Sequence, residues 1–206
     1  MSTVHYFPDK LNVTKHTTIG GSNFSGLSEK GLLGQQIDLS RTEAAQLSDT
    51  TVGTLLEGTY QYVQIDSTAP DTGNELLDRG HAVYWVDRAA FTVTTDATAV
   101  TLGNFAGVII NPSSGVNALA PTNYCWIQVD GEATVETAAA GAAVTGLVCT
   151  LGAATSNFFL SAADAGADAT SGSDKINVGT FSSATTGAGP ATGTVQMKNV
   201  FRNYKR

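Results

Sequence analysis

Three short segments between residues 60 and 135 constrain the fold of this chain more than anything else in it. Residues 60–65 (YQYVQI), 81–86 (HAVYWV) and 125–129 (CWIQV) are rich in aromatic and β-branched residues and carry both tryptophans. In residues 60–65 a period of two sends Tyr60 and Tyr62 to one side and Gln61, Val63 and Ile65 to the other. That alternation predicts strands in a sheet with two different faces. The remainder reads as a polar arm before these segments and a small-residue, β-rich tail after them.

Residues 105–110 (FAGVII) are an almost unbroken apolar run stopped by Asn111-Pro112, the pattern of a buried strand. Residues 91–94 follow 81–86 across Asp87-Arg88-Ala89-Ala90, which predicts a hairpin or bent strand. Asp130-Gly131 predicts a second hairpin. A two-residue loop there would set Val129 against Glu132 and Ile127 against Thr134. A three-residue loop with Gly131 left-handed puts Cys125, Ile127, Ala133 and Val135 on one buried face, so the longer loop is expected. Further strands are expected at 146–151, at 176–181 with Ile176, Val178 and Thr180 sharing a face, and at 193–201. Asn157-Phe158-Phe159-Leu160 reads as a compact aromatic anchor, and 66–73, 161–174 and 185–192 as loops.

Ser40-Arg41-Thr42-Glu43 is a capping-box pattern that predicts one short helix through Leu47, ending near Gly53. Before it, glycines at 20, 21, 26, 31 and 34 interrupt a segment with too few periodic apolar positions to fold alone. The expected organisation is an extended arm over 1–38 and a β-rich domain over 39–206. The fold class is mainly β: a barrel- or sandwich-like domain with at most one or two short helices.

Charged residues make up 14% of the chain, against about 25% in a typical soluble domain. Gly, Ala, Ser and Thr fill the difference, which suits flat polar faces packed against other proteins. A net charge of −7 argues against a nucleic-acid partner, because neutralising phosphates takes clustered Lys and Arg. Basic residues are absent between Arg88 and Lys175 and gather toward the ends, at Lys10, Lys15, Lys30 and Arg41 and at Lys198, Arg202, Lys205 and Arg206. Such asymmetry either orients the molecule on a charged partner or reflects a solvated tail. Cys125 and Cys149 lie in apolar, strand-like contexts without CxxC or Cys/His spacing, so both are expected as buried free thiols. No charged n-region and apolar h-region opens the chain, and the small-apolar run 138–144 is too short to span a bilayer. Synthesis in a cytoplasm and no membrane partner are expected.

Catalysis needs a nucleophile, a base and a stabiliser brought together. Of the three histidines, His5 and His16 sit in the arm and His81 opens a strand, with no G-x-S-x-G elbow to fix a serine. A satisfied or surface His81 is therefore expected rather than a catalytic one. Asp130, Glu132 and Glu136 around the expected hairpin, and Asp164, Asp168 and Asp174 in the later loop, lack the D-x-[DN]-x-[DN]-G calcium pattern and read as solvated acids. No phosphate-binding glycine loop is present, and no cofactor or metal is expected. The sequons at Asn12 and Asn23 carry no meaning without an export signal.

The order of these pieces resembles the head decoration, or capsid cement, proteins of tailed bacteriophages. Residues 79–87 (RGHAVYWVD) resemble that family's G-d-x-V-y-x-d strand, and 105–108 (FAGV) its following i-a-G-v element. Residues 127–135 (IQVDGEATV) are similar to its v-q-v-x-G-x-v hairpin, and 176–179 and 193–197 to its closing strands. The likeness covers about residues 58–201, with longer Ala/Ser/Thr-rich spacers and an additional N-terminal arm. It implies a β-barrel-like domain, often a homotrimer, seated on the outside of the head lattice and without catalytic residues. The implied partners are the major capsid protein lattice and other copies of the chain. The implied location is the outer surface of the virion. Tyr6, Phe7, Lys10, Lys15 and Phe24 are the candidate lattice contacts. A tail, fibre or other surface module binding host or glycan is the alternative. A polysaccharide-degrading enzyme is the third reading, and it would need a carboxylate pair held on rigid strands.

Overall fold

The computed structural model describes residues 33–47, 55–69, 77, 79–96, 104–110, 121–137, 146, 148–151, 159–161, 177–183 and 191–197. Among them the protein is mainly β, with almost no helix. The strands are β1 (Gln36–Leu39), β2 (Gly58–Ile65), β3 (Ala82–Asp87), β4 (Thr92–Thr94), β5 (Phe105–Ile109), β6 (Tyr124–Thr137), β7 (Val148–Leu151), β8 (Phe159–Ser161), β9 (Asn177–Phe181) and β10 (Ala191–Met197). One helix, α1 (Arg41–Leu47), follows β1.

Five strands close a barrel, in the order β2-β4-β3-β5-β6 and back to β2. The pairings are antiparallel except β2 with β4. Its interior is filled by side chains from every strand of the ring: Val63 and Ile65, Val83 and Trp85, Val93, Ala106 and Ile109, Cys125, Ile127 and Val129. Filling by alternate residues is what a small barrel requires, since its lumen is only as wide as the side chains that occupy it. The other face of β2 and of the first half of β6 presents Tyr60, Tyr62, Tyr124 and Trp126. Tyr62 stacks on Tyr124 at 6.0 Å between ring centroids and tilts against Trp126 at 5.0 Å. β1 and α1 cover this aromatic layer with Ile37, Leu39 and Ala44. Burying each such ring is worth roughly 1.5–3 kcal/mol.

The alternation expected in residues 60–65 is observed, and so is the buried strand at 105–109. The capping box forms as expected: Ser40 N donates to Glu43 Oε2 at 2.8 Å, and Glu43 N lies 3.5 Å from Ser40 Oγ. The last part of the expected arm belongs to the sheet, since β1 pairs antiparallel with β2 of its own chain. The expected aromatic anchor includes β8, which pairs with β7. β10 starts two residues earlier than expected, at Ala191. In β9 it is Phe181, not Thr180, that joins Val178 in the core.

One expectation is overturned. Residues 130–131 form no hairpin; β6 runs unbroken for 14 residues through them. Gly131 does have the positive φ (+91°) that the sequence implies, but the conformation serves a bulge rather than a reversal. The pairing with β2 slips there: Thr59 faces Asp130 while Tyr60 faces Gln128. The slip also divides the four residues expected on one face. Cys125 and Ile127 enter the barrel, whereas Ala133 and Val135 enter a different core.

That second core is built on the far half of β6. Residues 131–137 pair with β10, β10 with β9, β9 with β7, β7 with β8, and β8 returns to β6 at Thr137. A second circuit of five strands thus shares β6 with the barrel. Ala133, Val135, Val178, Phe181, Val195 and Met197 pack against Ala82, Tyr84, Phe105 and Val108 on the outer face of β3 and β5.

The crossing of β2 and β6 leaves no room for side chains. A Cβ on Gly131 would lie 2.4 Å from the Glu57 carbonyl oxygen, and one on Gly58 would lie 2.1 Å from that of Asp130. Buried Gln128 holds the bulge, its Nε2 2.7 Å from the Glu132 carbonyl oxygen and 3.3 Å from that of Asp130. Gly131→Ala is expected to lower the unfolding free energy by about 2 kcal/mol or more, combining positive-φ strain with the backbone clash. Denaturant titration measures it, and a loss under roughly 0.5 kcal/mol would mean the crossing is not close-packed.

Candidate functional site

His81 is the group with the most chemical potential in the described residues, and its surroundings decide its role. Gly80 has φ +86°, and its N–H donates to the Ile109 carbonyl at 2.9 Å while its carbonyl accepts from Glu136 N at 2.9 Å. This places the start of β3 across the far half of β6. The His81 ring is buried (1% exposed), with Nε2 2.9 Å from Glu136 Oε2. A general base must reach a substrate proton, and this imidazole faces a carboxylate within the protein. The pair joins the barrel to the second circuit. The structure buries His81 against Glu136 rather than placing it at the surface.

The other expected acids separate along β6. Glu136 turns to His81, while Asp130 and Glu132 flank the Gly131 crossing. Residues opposite one another across strands project to the same side of a sheet. Asp38, Thr59 and Asp130 form one such row, and Glu132 faces Glu57, whose carbonyl accepts its N–H at 2.9 Å. Thr59 Oγ1 donates to Asp38 Oδ1 at 2.6 Å, Ser182 Oγ donates to Glu132 Oε1 at 3.0 Å, and Arg41 Nε lies 3.7 Å from Glu57 Oε2. The Glu57–Glu132 row continues through Gln196 and Thr180 on β10 and β9. The result is a flat Thr/Gln/Glu face. Among the described residues no group of three or more His, Cys, Asp or Glu is arranged to hold a metal ion.

A second exposed feature is the β3–β4 hairpin tip, residues 86–90. Val86 is 48% exposed, and Asp87, Arg88, Ala89 and Ala90 are exposed beside it. Asp87 Oδ1 accepts from the N–H groups of Ala89 (2.8 Å) and Ala90 (3.1 Å), which fixes the turn. Phe91, with φ +53°, packs edge-on to Trp85 and seals the base of the hairpin against Gly34. A rigid tip that offers small apolar side chains is suited to docking, because little conformational entropy is lost when it binds.

The candidate lattice contacts Tyr6, Phe7, Lys10, Lys15 and Phe24 lie outside the described residues, as do Asp164, Asp168 and Asp174. The exposure of the hairpin tip was not legible from residues 86–90 alone. Its signal was the Asp-x-Ala-Ala run between two strands, which marks a turn but not its exposure. Cys125 is a buried free thiol, and burial pushes its pKa up to about 12, so it stays protonated and unreactive at neutral pH. Cys149 lies in β7. Among the described residues no helix is long and apolar enough to cross a membrane. No protein-family model matches the chain, and no curated protein matches it.

Burial raises the phenols of Tyr60 and Tyr84 well above their usual value near 10. Tyr60 exchanges hydrogen bonds with the Leu56 backbone, whereas the Tyr84 hydroxyl has no hydrogen-bond partner among the described residues. Above pH ~10 the unfolded chain loses these protons first, so stability falls as pH rises. Tyr84→Phe is expected to flatten that decline and to leave stability at pH 7 equal or higher, because it removes an unpaired buried hydroxyl. Urea titrations at pH 7 and above pH 10 check both; a large loss at pH 7 would show that the hydroxyl is engaged.

Proposed function

We propose that this chain is a structural, non-enzymatic virion protein that binds the outside of a tailed-phage capsid lattice and cements the expanded head. The observation that carries the reading is the agreement between the resemblance and the strands. Four of the five segments that resemble decoration proteins fall within or largely on β3, β5, β9 and β10. The fifth lies in β6, where the chain departs from the family pattern by continuing as one bulged strand instead of reversing. The low charge, the flat Thr/Gln/Glu face and the rigid hairpin tip supply surfaces of the kind that pack against other proteins.

In this reading the partners are the major capsid protein lattice and other copies of the chain, as a homotrimer. Tyr6, Phe7, Lys10, Lys15 and Phe24 make the lattice contacts. Affinity for the expanded lattice alone stabilises that state by linkage, and repetition over the particle adds small energies together. The test is co-sedimentation of the purified protein with expanded heads that lack it, beside unexpanded heads. Saturable binding to expanded heads only, at a fixed ratio to coat subunits, is expected. Binding to neither shell overturns the reading and directs attention to the tail or fibre. Deleting residues 1–25 is expected to weaken shell binding and leave the barrel folded.

A further inference from the structure

The outer face of β3 and β5 meets β6, β9 and β10 through the apolar second core. An ion pair also crosses this joint, with His81 Nε2 2.9 Å from Glu136 Oε2. The backbones meet at the same point: a Cβ on Gly80 would lie 2.9 Å from Glu136 N, which donates to the Gly80 carbonyl. That close approach fixes the pair, so a change in its charge is not absorbed by a small slide of one strand past the other. The two partners differ in their access to water. The His81 side chain is 1% exposed and that of Glu136 is 31% exposed. A proton from solvent therefore reaches the carboxylate, while the imidazole carries any charge inside the protein.

This asymmetry makes the contact depend on the number of protons the pair holds. A neutral imidazole with its proton on Nε2 donates to the ionised carboxylate. One further proton sets an imidazolium against the carboxylate, and a charge-assisted bond is stronger. A second proton neutralises the carboxylate and leaves a buried cation facing an uncharged acid. Stripping a buried charge of its partner is strongly destabilising. The described elements around the pair offer no substitute. β5, β8, β9 and β10 carry no ionisable side chain. Arg79, two residues before His81, is partly buried and interacts electrostatically with Tyr60 of β2. Glu132, four residues along the same side of β6, accepts from Ser182 Oγ, and Asp130 lies beyond Gly131.

We propose that the His81–Glu136 pair is an acid-operated latch on the joint: it holds the second circuit to the barrel while Glu136 is ionised, and proton uptake by Glu136 frees the second circuit from a barrel that stays folded. Acid has no comparable hold on the barrel core, which is filled by apolar side chains and by Cys125, whose buried thiol is already protonated. At neutral pH the two circuits open together; in acid the joint opens first. The latch stands apart from the decoration role and operates whether or not the protein binds capsids.

Hydrogen exchange of the full-length protein from pH ~7 to pH ~3, expressed as protection relative to unstructured chain at each pH, tests it. The Glu136 amide reports the joint directly, because it donates to the Gly80 carbonyl, and residues 61–64, paired with 124–127, report the barrel. In the native protein, protection of Glu136 and of β10 is expected to fall more than about tenfold in acid while that of the barrel is kept. Glu136→Gln leaves the imidazolium without a counter-charge from the first proton, so release is expected to begin at least about one pH unit higher. His81→Gln removes the buried cation and is expected to take away most of the acid dependence of the joint. The same acid dependence in the native protein and His81→Gln overturns the latch. Loss of barrel and joint protection together overturns it too, as ordinary acid unfolding. If His81→Gln does not fold, Glu136→Gln decides alone, and an unchanged onset of release there assigns the acid response to other carboxylates and overturns the proposal.

Discussion

The structure depends on the close approach of Gly58 and Gly131, where the start of β2 pairs with the middle of β6. β6 spans 14 residues, long enough to serve as a wall of two strand circuits, but a straight strand of that length would present one continuous face to one core. The bulge at Val129–Asp130 and the positive φ of Gly131 re-aim it. On one side of the kink Cys125, Ile127 and Val129 fill the barrel; on the other, Ala133 and Val135 meet β9, β10 and the outside of β3 and β5. Gln128 supplies the hydrogen bonds that the slipped register would otherwise leave to the buried carbonyls.

The consequence is a body whose two halves are joined by one uninterrupted strand and by the packing across it. His81 and Glu136 add a polar tie at the far end, with Gly80 bonded to both β5 and β6. The proposed role in reinforcing a shell requires a body that resists being pulled apart. Two circuits that share a central strand meet that demand better than two domains on a linker. The outward faces are consistent with the proposed use. The Thr/Gln/Glu ladder runs across β6, β10 and β9, and the exposed hairpin at residues 86–90 is held by the Asp87 carboxylate.

How much of this the sequence disclosed follows from which interactions are local. The alternation at 60–65 was legible because its two faces meet different cores, and the helix start at Ser40–Glu43 because its hydrogen bonds span three residues. β1 escaped notice because it has only four residues, although Ile37 and Leu39 alternate with exposed Gln36 and Asp38. Asp130-Gly131 was misread for a physical reason: a hairpin and a bulge both ask for a residue at positive φ. Only the partner strands, Gly58 from one side and Met197 from the other, decide between them. The His81–Glu136 contact spans 55 residues and had no local signature. The exposure of the hairpin tip depends on what packs beneath it, which no short window contains.

Native-state hydrogen exchange along β6 tests the central claim, that one strand makes the two circuits a single cooperative unit. Amides of the strand before the Gly131 kink and amides after it are predicted to exchange through the same global opening, with the same free energy and the same dependence on denaturant. If the second half exchanges through a separate opening a few kcal/mol lower in free energy, the circuits are independent modules. The account of β6 as the shared wall would then be wrong.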